Sequence, residues 1–597
     1  MSAEPKDIKK LVTENLDIWT SAIKSKSRTG RGSNKTYELY GIKKLRELIL
    51  DLAVRGLLVP QDPNDEPASE LLKKIAVEKE QLIKEGKIKK LKALPPIKEE
   101  EMTFELPDGW QWKRFPDLCF YNTGKTPPTK NPVYWSDDSE GYPWVSIADM
   151  THYQDVYETK KQISEEATEK VFKYEPVKAG TLIMSFKLTV GKVSRLAVDA
   201  YHNEAIISVH PFNGVDQSYL YRFLPIRAKV GNTKKAIKGN TLNSDSLAMI
   251  SLPLPPLAEQ KRIVAKVDEL MALCDQLEQQ TDTSIKAHKL LVENLLKALT
   301  QAKDHTTFQQ AWQRIAKNFD TLFTTEHSID QLKQTILQLA VMGKLAPQDP
   351  NDEPASELLK KIATEKEKLI KQGKIKKQKP LPEISEEEKP FELPEGWEWV
   401  SLSNLISVMD AGWSPACPPE PSSSDDIWGV LKTTAVQCME YWEHENKVLS
   451  EAKEPKSQYE VNVGDILITR AGPKNRVGVS CLVDKTRPKL MISDKIIRFH
   501  LVEIGLIERY ISLCLNAGAT ANYIENAKSG MAESQMNISQ IKLKKAPVPL
   551  CPINEQRQIV VKFDELMNLC DKLKSQIADF KKSQTKISDS LALINQQ

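Results

Sequence analysis

At 597 residues, 40% hydrophobic and 28% charged, the chain has room for roughly three to five domains, each able to bury a core. A formal net charge of +3 is too small to announce a polyanion partner, so any nucleic-acid face has to be local. Met1–Lys6 lacks a signal peptide's apolar core, no run reaches the ~18–20 apolar residues of a membrane span, and no Cys-x-x-Cys pair occurs, so a reducing cytoplasmic location without zinc or disulfides is expected.

Residues 1–36 form a segment without counterpart elsewhere, expected to be loosely ordered, above all over Ser25–Lys35. The region 37–105 begins with a helix over Ile42–Val54 that ends on Gly56 as a C-cap. A Pro/Asp/Asn turn run follows, then a charged helix over Ser69–Lys84 with the serine as N-cap, and a lysine- and proline-rich linker over Lys87–Lys98. Residues 106–255 mix strand-like and loop-like stretches. The region 256–392 opens with a long helix behind Pro255-Pro256. Its apolar stripe runs through Ile263, Val267, Leu270, Cys274 and Leu277, turns polar at Thr281, Ser284 and His288, and resumes at Leu291, Leu295 and Leu299; the polar patch reads equally as a loosened seam or a local kink. A second short helix over Ile329–Val341, Gly343, the turn run, a helix over Ser356–Lys371 and a linker over Lys374–Glu388 complete it. After a second mixed region, 393–551, the segment 552–597 is one helix. Its heptad stripe of Ile559, Phe563, Leu566, Cys570, Leu573, Ile577, Phe580, Ile587, Leu591 and Ile594, broken at Gln584, predicts a coiled-coil rod of roughly 54 Å. Cys274 and Cys570 lie on these stripes and read as small buried hydrophobes.

The chain is written twice. Pro60–Ala76 recurs unchanged as Pro347–Ala363, and Phe104–Trp112 recurs closely as Phe391–Trp399. Glu259-Gln260, Asp268–Met271 and Leu273–Asp275 return as Glu555-Gln556, Asp564–Met567 and Leu569–Asp571. A duplicated frame thus holds two divergent inserts of similar length. The frame is cyclically permuted, because the C-terminal long helix finds its continuation at the N-terminus; the N-terminal helix is expected to dock beside the C-terminal one in an antiparallel bundle. Val177–Ser185 and Val461–Thr469 share a turn-then-strand pattern, followed by Gly191-Lys192-Val193 and Gly478-Val479-Ser480, so the inserts are expected to share one α/β fold while their exposed residues differ. The fold class expected is mixed α+β: two α/β domains separated by an antiparallel helical coiled-coil spacer in a pseudo-twofold cyclic arrangement.

Catalytic chemistry finds no support. Gly124-Lys125-Thr126 lacks the first glycine of a phosphate loop, where Cys119 stands. Asn131-Pro132-Val133-Tyr134 resembles the Asn-Pro-Pro-Tyr loop of adenine methyltransferases, but has valine third and no glycine-rich donor site. Asp108 with Glu158 and Lys160 is a loose nuclease-like grouping, and Glu395 takes the place of Asp108 in the second frame copy, which suits structure better than catalysis. There is no His-Glu-x-x-His and no serine elbow. No catalytic, cofactor-binding or metal-binding residue is assigned.

Leu254-Pro255-Pro256-Leu257-x-Glu259-Gln260 leading into Ile263-Val264-x-x-Val267-Asp268 resembles the conserved-region helix of Type I restriction–modification specificity subunits. The copy at Pro549–Gln556 is similar, with Cys551 where the pattern has proline. Leu50–Gly56 and Leu337–Gly343 resemble the short helix of each conserved region. The inserts are similar to target-recognition domains at Gly124–Pro127, Tyr134-Trp135, Trp144–Ser146 and Asn203–Ile206, and at Gly464–Leu467, Thr469–Gly472 and Met536–Ser539. The N-terminal frame copy resembles the subgroup whose conserved regions lie at the N-terminus and centre. The resemblance implies a non-catalytic reader of double-stranded DNA. It would assemble with two modification subunits that methylate adenine N6 from S-adenosylmethionine and with two restriction subunits that use ATP and Mg, so the cofactors would belong to the partners. Each insert would read one half of an asymmetric, interrupted site, with the helices as spacer between half-sites roughly 34–36 Å apart.

Candidate DNA contacts in the first insert are Lys229, Lys234, Lys235, Lys238 and Asn240, a cationic run interleaved with small residues. In the second insert they are Arg470, Lys474, Asn475, Arg476, Ser529, Gln535 and Asn537. Candidate contacts to modification subunits are Arg262, Lys266, Glu269, Arg557 and Lys562, beside the helical stripes. The rival reading is a coiled-coil scaffold that binds no DNA and displays two protein-binding domains. A self-sufficient methyltransferase is disfavoured by the missing donor-site motif.

Overall fold

The computed structural model describes residues 14–25, 37–90, 93–136, 140–229, 234–236, 239–377, 381–382, 384–389, 391–422 and 424–593. The chain divides into two compact units, one of Met1–Ser284 with Phe580–Gln597 and one of Ile285–Asp579.

In the first unit, α1 (Tyr40–Val54) buries Ile42, Leu45, Leu48, Ile49 and Leu52, the i, i+3, i+4 face of an amphipathic helix. Gly56 follows at φ +74°, where a Cβ would lie 2.5 Å from Pro107 Cγ, so both the left-handed turn and the packing demand glycine. Helix α2 (Ala68–Lys84) starts one residue earlier than expected, behind Pro67, and no side chain caps it. The serine N-cap expectation is corrected for a simple reason: the Ala68 N–H already donates to Gly109 O at 2.8 Å, within the repeated Pro-x-Gly-Trp turn. The second copy does the same with Ala355 and Gly396 O. The N-terminal segment is more ordered than expected: Leu16–Ser21 is helical, Ile23–Ser25 pairs with Tyr37–Leu39, and Trp19 is fully buried. Residues 26–35 lie outside the described residues.

The first insert enters on β1 (Gln111–Arg114). Its main sheet holds β2 (Cys119–Thr123), β3 (Gln154–Val156), β4 (Leu182–Ser185), β5 (Lys192–Leu196) and β6 (Ile206–Pro211), ordered β2-β6-β4-β5-β3. All neighbours are antiparallel except β5 with β3. Helix α3 (Gln217–Arg227) follows, then the hairpin β7 (Lys234–Ala236) and β8 (Gly239–Thr241). Strand β9 (Ser251–Leu254) returns to pair with β1, so the insert leaves beside its point of entry. The chain then runs into α4 (Leu257–Gln301), 45 residues without interruption.

The second unit repeats this plan with α5 (Glu326–Val341), α6 (Ala355–Lys371) and an insert entered on β10 (Glu398–Ser401). Its main sheet contains β11 (Ile406–Ala411), β12 (Ile466–Thr469), β14 (Ser480–Leu482) and β15 (Ile496–Leu501), ordered β11-β15-β12-β14; a short strand β13 (Ala471–Gly472) lies in the loop between β12 and β14. Helix α7 (Glu508–Asn516), strand β16 (Met536–Asn537), which pairs with β13, and the exit strand β17 (Pro547–Leu550) against β10 lead into α8 (Ile553–Leu593). The strand order matches β2-β6-β4-β5 in the first insert, so the two inserts share one fold despite their divergent sequences. A single core joins Ile466, Phe499 and Tyr510 of this insert to Ile336 of α5 and Phe563 of α8.

The long helices depart from the expected stripe. Val292 is 1% exposed while the predicted Leu291 is 51% exposed. In α8, Phe580 and Ile587 are 58% and 42% exposed while Ser588 is buried. Val292 and Ser588 lie about five full turns beyond Cys274 and Cys570, the spacing of a helix with 3.6 residues per turn. A strict heptad drifts about 20° per repeat on such a helix, so the predicted positions rotate outward. The polar stretch of α4 lies within a continuous helix.

Helix α1 docks beside the C-terminal helix as expected, through Tyr40 to Asp589 at 2.6 Å, and also on α4, where Arg46 bonds Asp275 at 2.6 Å and Glu278 at 2.8 Å. In the second unit the matching contact is Lys333 to Asp571 at 2.7 Å, joined by Lys574 to Asp330 at 2.7 Å.

Candidate nucleic-acid interface

The repeated frame residues position the inserts. Glu259 accepts the Trp110 indole N–H and Glu555 that of Trp397, each at 2.9 Å. Burial pushes Glu259 up, and pushes Glu555 up to about 6, against the lowering effect of the indole bond. Gln260 accepts the Asp216 N–H at the start of α3, and Gln556 accepts the Ile507 N–H before α7. Tyr219 and Tyr510 donate to Pro253 O and Pro549 O on the exit strands. Arg222 and Arg509, on α3 and α7, pair with Asp268 and Asp564 on the long helices. These pairs recur in both copies, and they aim each insert from its own long helix.

The expected contact residues of the second insert come together. The loop after β12 carries Arg470, Lys474, Asn475 and Arg476, and it pairs with the 529–537 hairpin through Ala471↔Asn537 and Gly472↔Met536. Ser529 and Asn537 bond each other's backbones in both directions, and Lys474 N–H donates to Glu533 O at 2.7 Å. Lys474, Asn475, Ser529, Gln535 and Asn537 are exposed. The half-buried Arg470 has no side-chain hydrogen bond among the described residues. The Arg476 guanidinium turns inward to Gln437 Oε1 at 3.0 Å, Thr433 O at 2.8 Å and Val436 O at 2.6 Å, so it braces the 433–437 turn.

The first insert builds the same composite. The loop after β4, residues 186–190, is the counterpart of 470–477: the Ser185 hydroxyl donates to Thr189 O as the Thr469 hydroxyl donates to Arg476 O. Leu242 N–H donates to Phe186 O at 2.8 Å, bringing the hairpin beside this loop. Gly191, at φ +77°, lies against the end of α3, where a Cβ would stand 2.9 Å from Pro225 O and 3.5 Å from Lys229 Cε. Lys229 is exposed; burial foremost, then Lys229 and Lys192, hold His152 down to about 4. Lys234, Lys235 and Asn240 lie on the hairpin strands with Lys234↔Thr241 and Lys235↔Asn240 in register, and Lys238 lies outside the described residues. Sequence reasoning missed Lys187 and Leu188, the latter exposed at φ +66°, although the matched Gly191 and Gly478 motifs marked where the two loops end. It also missed Met531 and Glu533 in the second insert.

The expected partner contacts are more dispersed. Arg262 places both terminal nitrogens on Asp65 at 2.7 and 3.3 Å, which fixes the turn run to α4. Lys266 pairs with Glu269, Lys562 pairs with Glu565, and Arg557 is exposed. Leu273 and Leu569, equivalent in the two frame copies, are exposed apolar residues on the same helices that sequence reasoning passed over.

Two of the near-miss motifs are tied into the fold. Lys125 Nζ donates to Val171 O and Phe172 O, so it is not held for a phosphate. Asn131 caps Val133 N–H in a short surface turn. Among the described residues, no group of three or more His, Cys, Asp or Glu is placed to hold a metal ion, and no helix is long and apolar enough to cross a membrane.

A family model described as the Type I restriction modification DNA specificity domain matches residues 107–287 and 394–579, so each match spans an insert and the first part of its long helix. The chain is 51% identical over 601 residues to the Type I restriction enzyme EcoEI specificity subunit of Escherichia coli, covering 98% of this chain and 99% of that one. It is 39% identical over 604 residues to the EcoAI specificity subunit of the same organism, covering 98% and 99%. The crystal structure of the HsdS subunit from Thermoanaerobacter tengcongensis aligns with 82% of this chain and 96% of its own, at 16% identity and a TM-score of 0.39.

Proposed function

Because this chain belongs to the family of Type I restriction–modification specificity subunits, we propose that each of its inserts reads one half of an asymmetric, interrupted DNA site. The observation that carries this reading is the composite of loop and hairpin, built on the same strand order in both inserts from different residues. One composite presents Lys187, Thr189 and Lys229 and the other Arg470, Lys474, Asn475 and Gln535. Shared strands keep the geometry, and divergent loops give two different half-sites, unlike the palindrome read by a homodimer. Lysines and arginine supply phosphate contacts, while amides and hydroxyls supply base contacts in the grooves.

In this proposal the chain transfers no methyl group and cuts no DNA. Two modification subunits carry S-adenosylmethionine and methylate adenine N6, and two restriction subunits supply ATP- and Mg-dependent translocation and cleavage. Lys266, Glu269, Arg557 and Lys562, with Leu273 and Leu569, form the faces on which modification subunits dock. Duplex binding by the purified chain, measured across salt, tests the reading: binding should weaken steeply as salt rises, through counterion release. A scaffold that only binds proteins would show no such binding.

A further inference from the structure

In the 529–537 hairpin Met531 stands just before the Ala532–Gln535 turn and is wholly exposed, at 107% of its reference area. The tip is tightly built: a Cβ on Gly530 would lie 2.3 Å from Gln535 O, and Gln535 N–H donates to Ala532 O at 2.9 Å. The exposed neighbours of Met531 in sequence, Ser529, Ala532, Glu533, Ser534 and Gln535, are small or polar, and the half-buried Met536 lies against Gly530. Glu533 is exposed and lies 3.4 Å from Lys474 Nζ. A carboxylate is repelled by the phosphate rails and by the negative potential of a narrow minor groove. The major groove offers it the amino group of cytosine, and it offers an apolar side chain the 5-methyl of thymine. That groove is about 12 Å wide, enough for a two-stranded ribbon.

Building on the DNA-reading proposal above, we propose that this hairpin enters the major groove tip first and that Met531 packs against a thymine 5-methyl. It would thereby distinguish T·A from the other pairs at one position of the half-site read by the second insert. The test uses the full chain assembled with its modification subunit and duplexes of the mapped site in which each thymine is replaced singly by uracil. Uracil keeps the base pair and removes only the methyl. One position should lose about three- to fivefold in affinity with the wild-type complex. Met531→Ala should lose about the same on the unmodified duplex and nothing further on the uracil duplex, whereas Met531→Leu should retain most of the affinity. Melting temperatures should be unchanged, since the side chain packs against nothing in the fold. Half-sites without thymine, insensitivity to uracil at every position, or losses from uracil and Met531→Ala that simply add would overturn the assignment. Salt-dependent duplex binding that persists alongside any of those results would leave the DNA-reading proposal standing and refute the role of Met531 alone.

Discussion

The indole N–H of Trp397 donates to Glu555 Oε2 at 2.9 Å, and the carboxylate that receives it is buried at the start of a long helix. Burial lifts Glu555 to about 6 from an ordinary 4.5, with the indole bond opposing the rise. The folded protein therefore holds this proton more tightly than the unfolded chain does. The group favours folding fully below about pH 4.5, and that contribution is lost as pH rises through about 6. Allowing for solvent screening, its ionisation costs about 1 kcal/mol at pH 8. Glu555→Gln should thus melt progressively higher relative to the parent as pH rises from 5 to 8. A constant difference in melting temperature across that range would contradict the assignment.

Gly343 and Gly373 share a left-handed conformation, at φ +69° and +71°, but differ in surroundings. A Cβ on Gly343 would lie 2.7 Å from Pro394 Cγ and 3.0 Å from Trp397, whereas one on Gly373 meets nothing within 4 Å. Gly373→Ala should cost about 1 kcal/mol, the backbone term alone. Gly343→Ala should cost about 1–3 kcal/mol more, for overpacking against the two rings. Denaturant midpoints of the two variants measure the difference, and equal losses would show that the ring contact carries no weight.

Trp112 and Pro253 face each other in the β1–β9 ladder. Entry and exit of the first insert are therefore adjacent, so the segment between them is exchangeable without moving the frame. Replacing it with another recognition domain should change one half of the methylated site only. A change in both halves would refute the assignment of one insert to each half-site.

A heptad inserted into both α4 and α8, after Leu277 and Leu573, turns the following residues by only about 20° while lengthening each helix by ~10.5 Å. Some stability should be lost as the packed stripes slip. An active variant should keep both half-site sequences and alter the number of unspecified bases between them. A folded, active variant with its spacing unchanged and its half-site bases altered would show that the helices do not set the spacing.

The repeated frame was legible because its residues recur, although the contacts they make are long-range, with Trp110 and Glu259 149 residues apart. Gly56, Trp110, Glu259 and Gln260 recur as identical letters, and each makes the same contact as its copy. The heptad stripe misplaced Leu291, Phe580 and Ile587, which are exposed, because the buried Val292 and Ser588 follow the straight helix's period there. The loop-and-hairpin composite, which no repeat marks, was only half legible. Arg470–Arg476 and Ser529–Asn537 stood out as polar loop residues, but their pairing is long-range, and the inward turn of Arg476 depends on carbonyls from the 433–437 turn. Lys187 and Leu188 escaped because their loop has a different length and composition from its counterpart.

Methylation mapping of DNA from cells carrying this chain with its modification subunit tests the central claim most directly. N6-methyladenine should appear at a two-part site whose halves differ in sequence and are separated by a fixed run of unspecified bases. Replacing Lys474, Asn475 and Gln535 with alanine should degrade recognition of one half and leave the other intact. A palindromic site, a single uninterrupted site, or equal loss of both halves in that variant would contradict the claim.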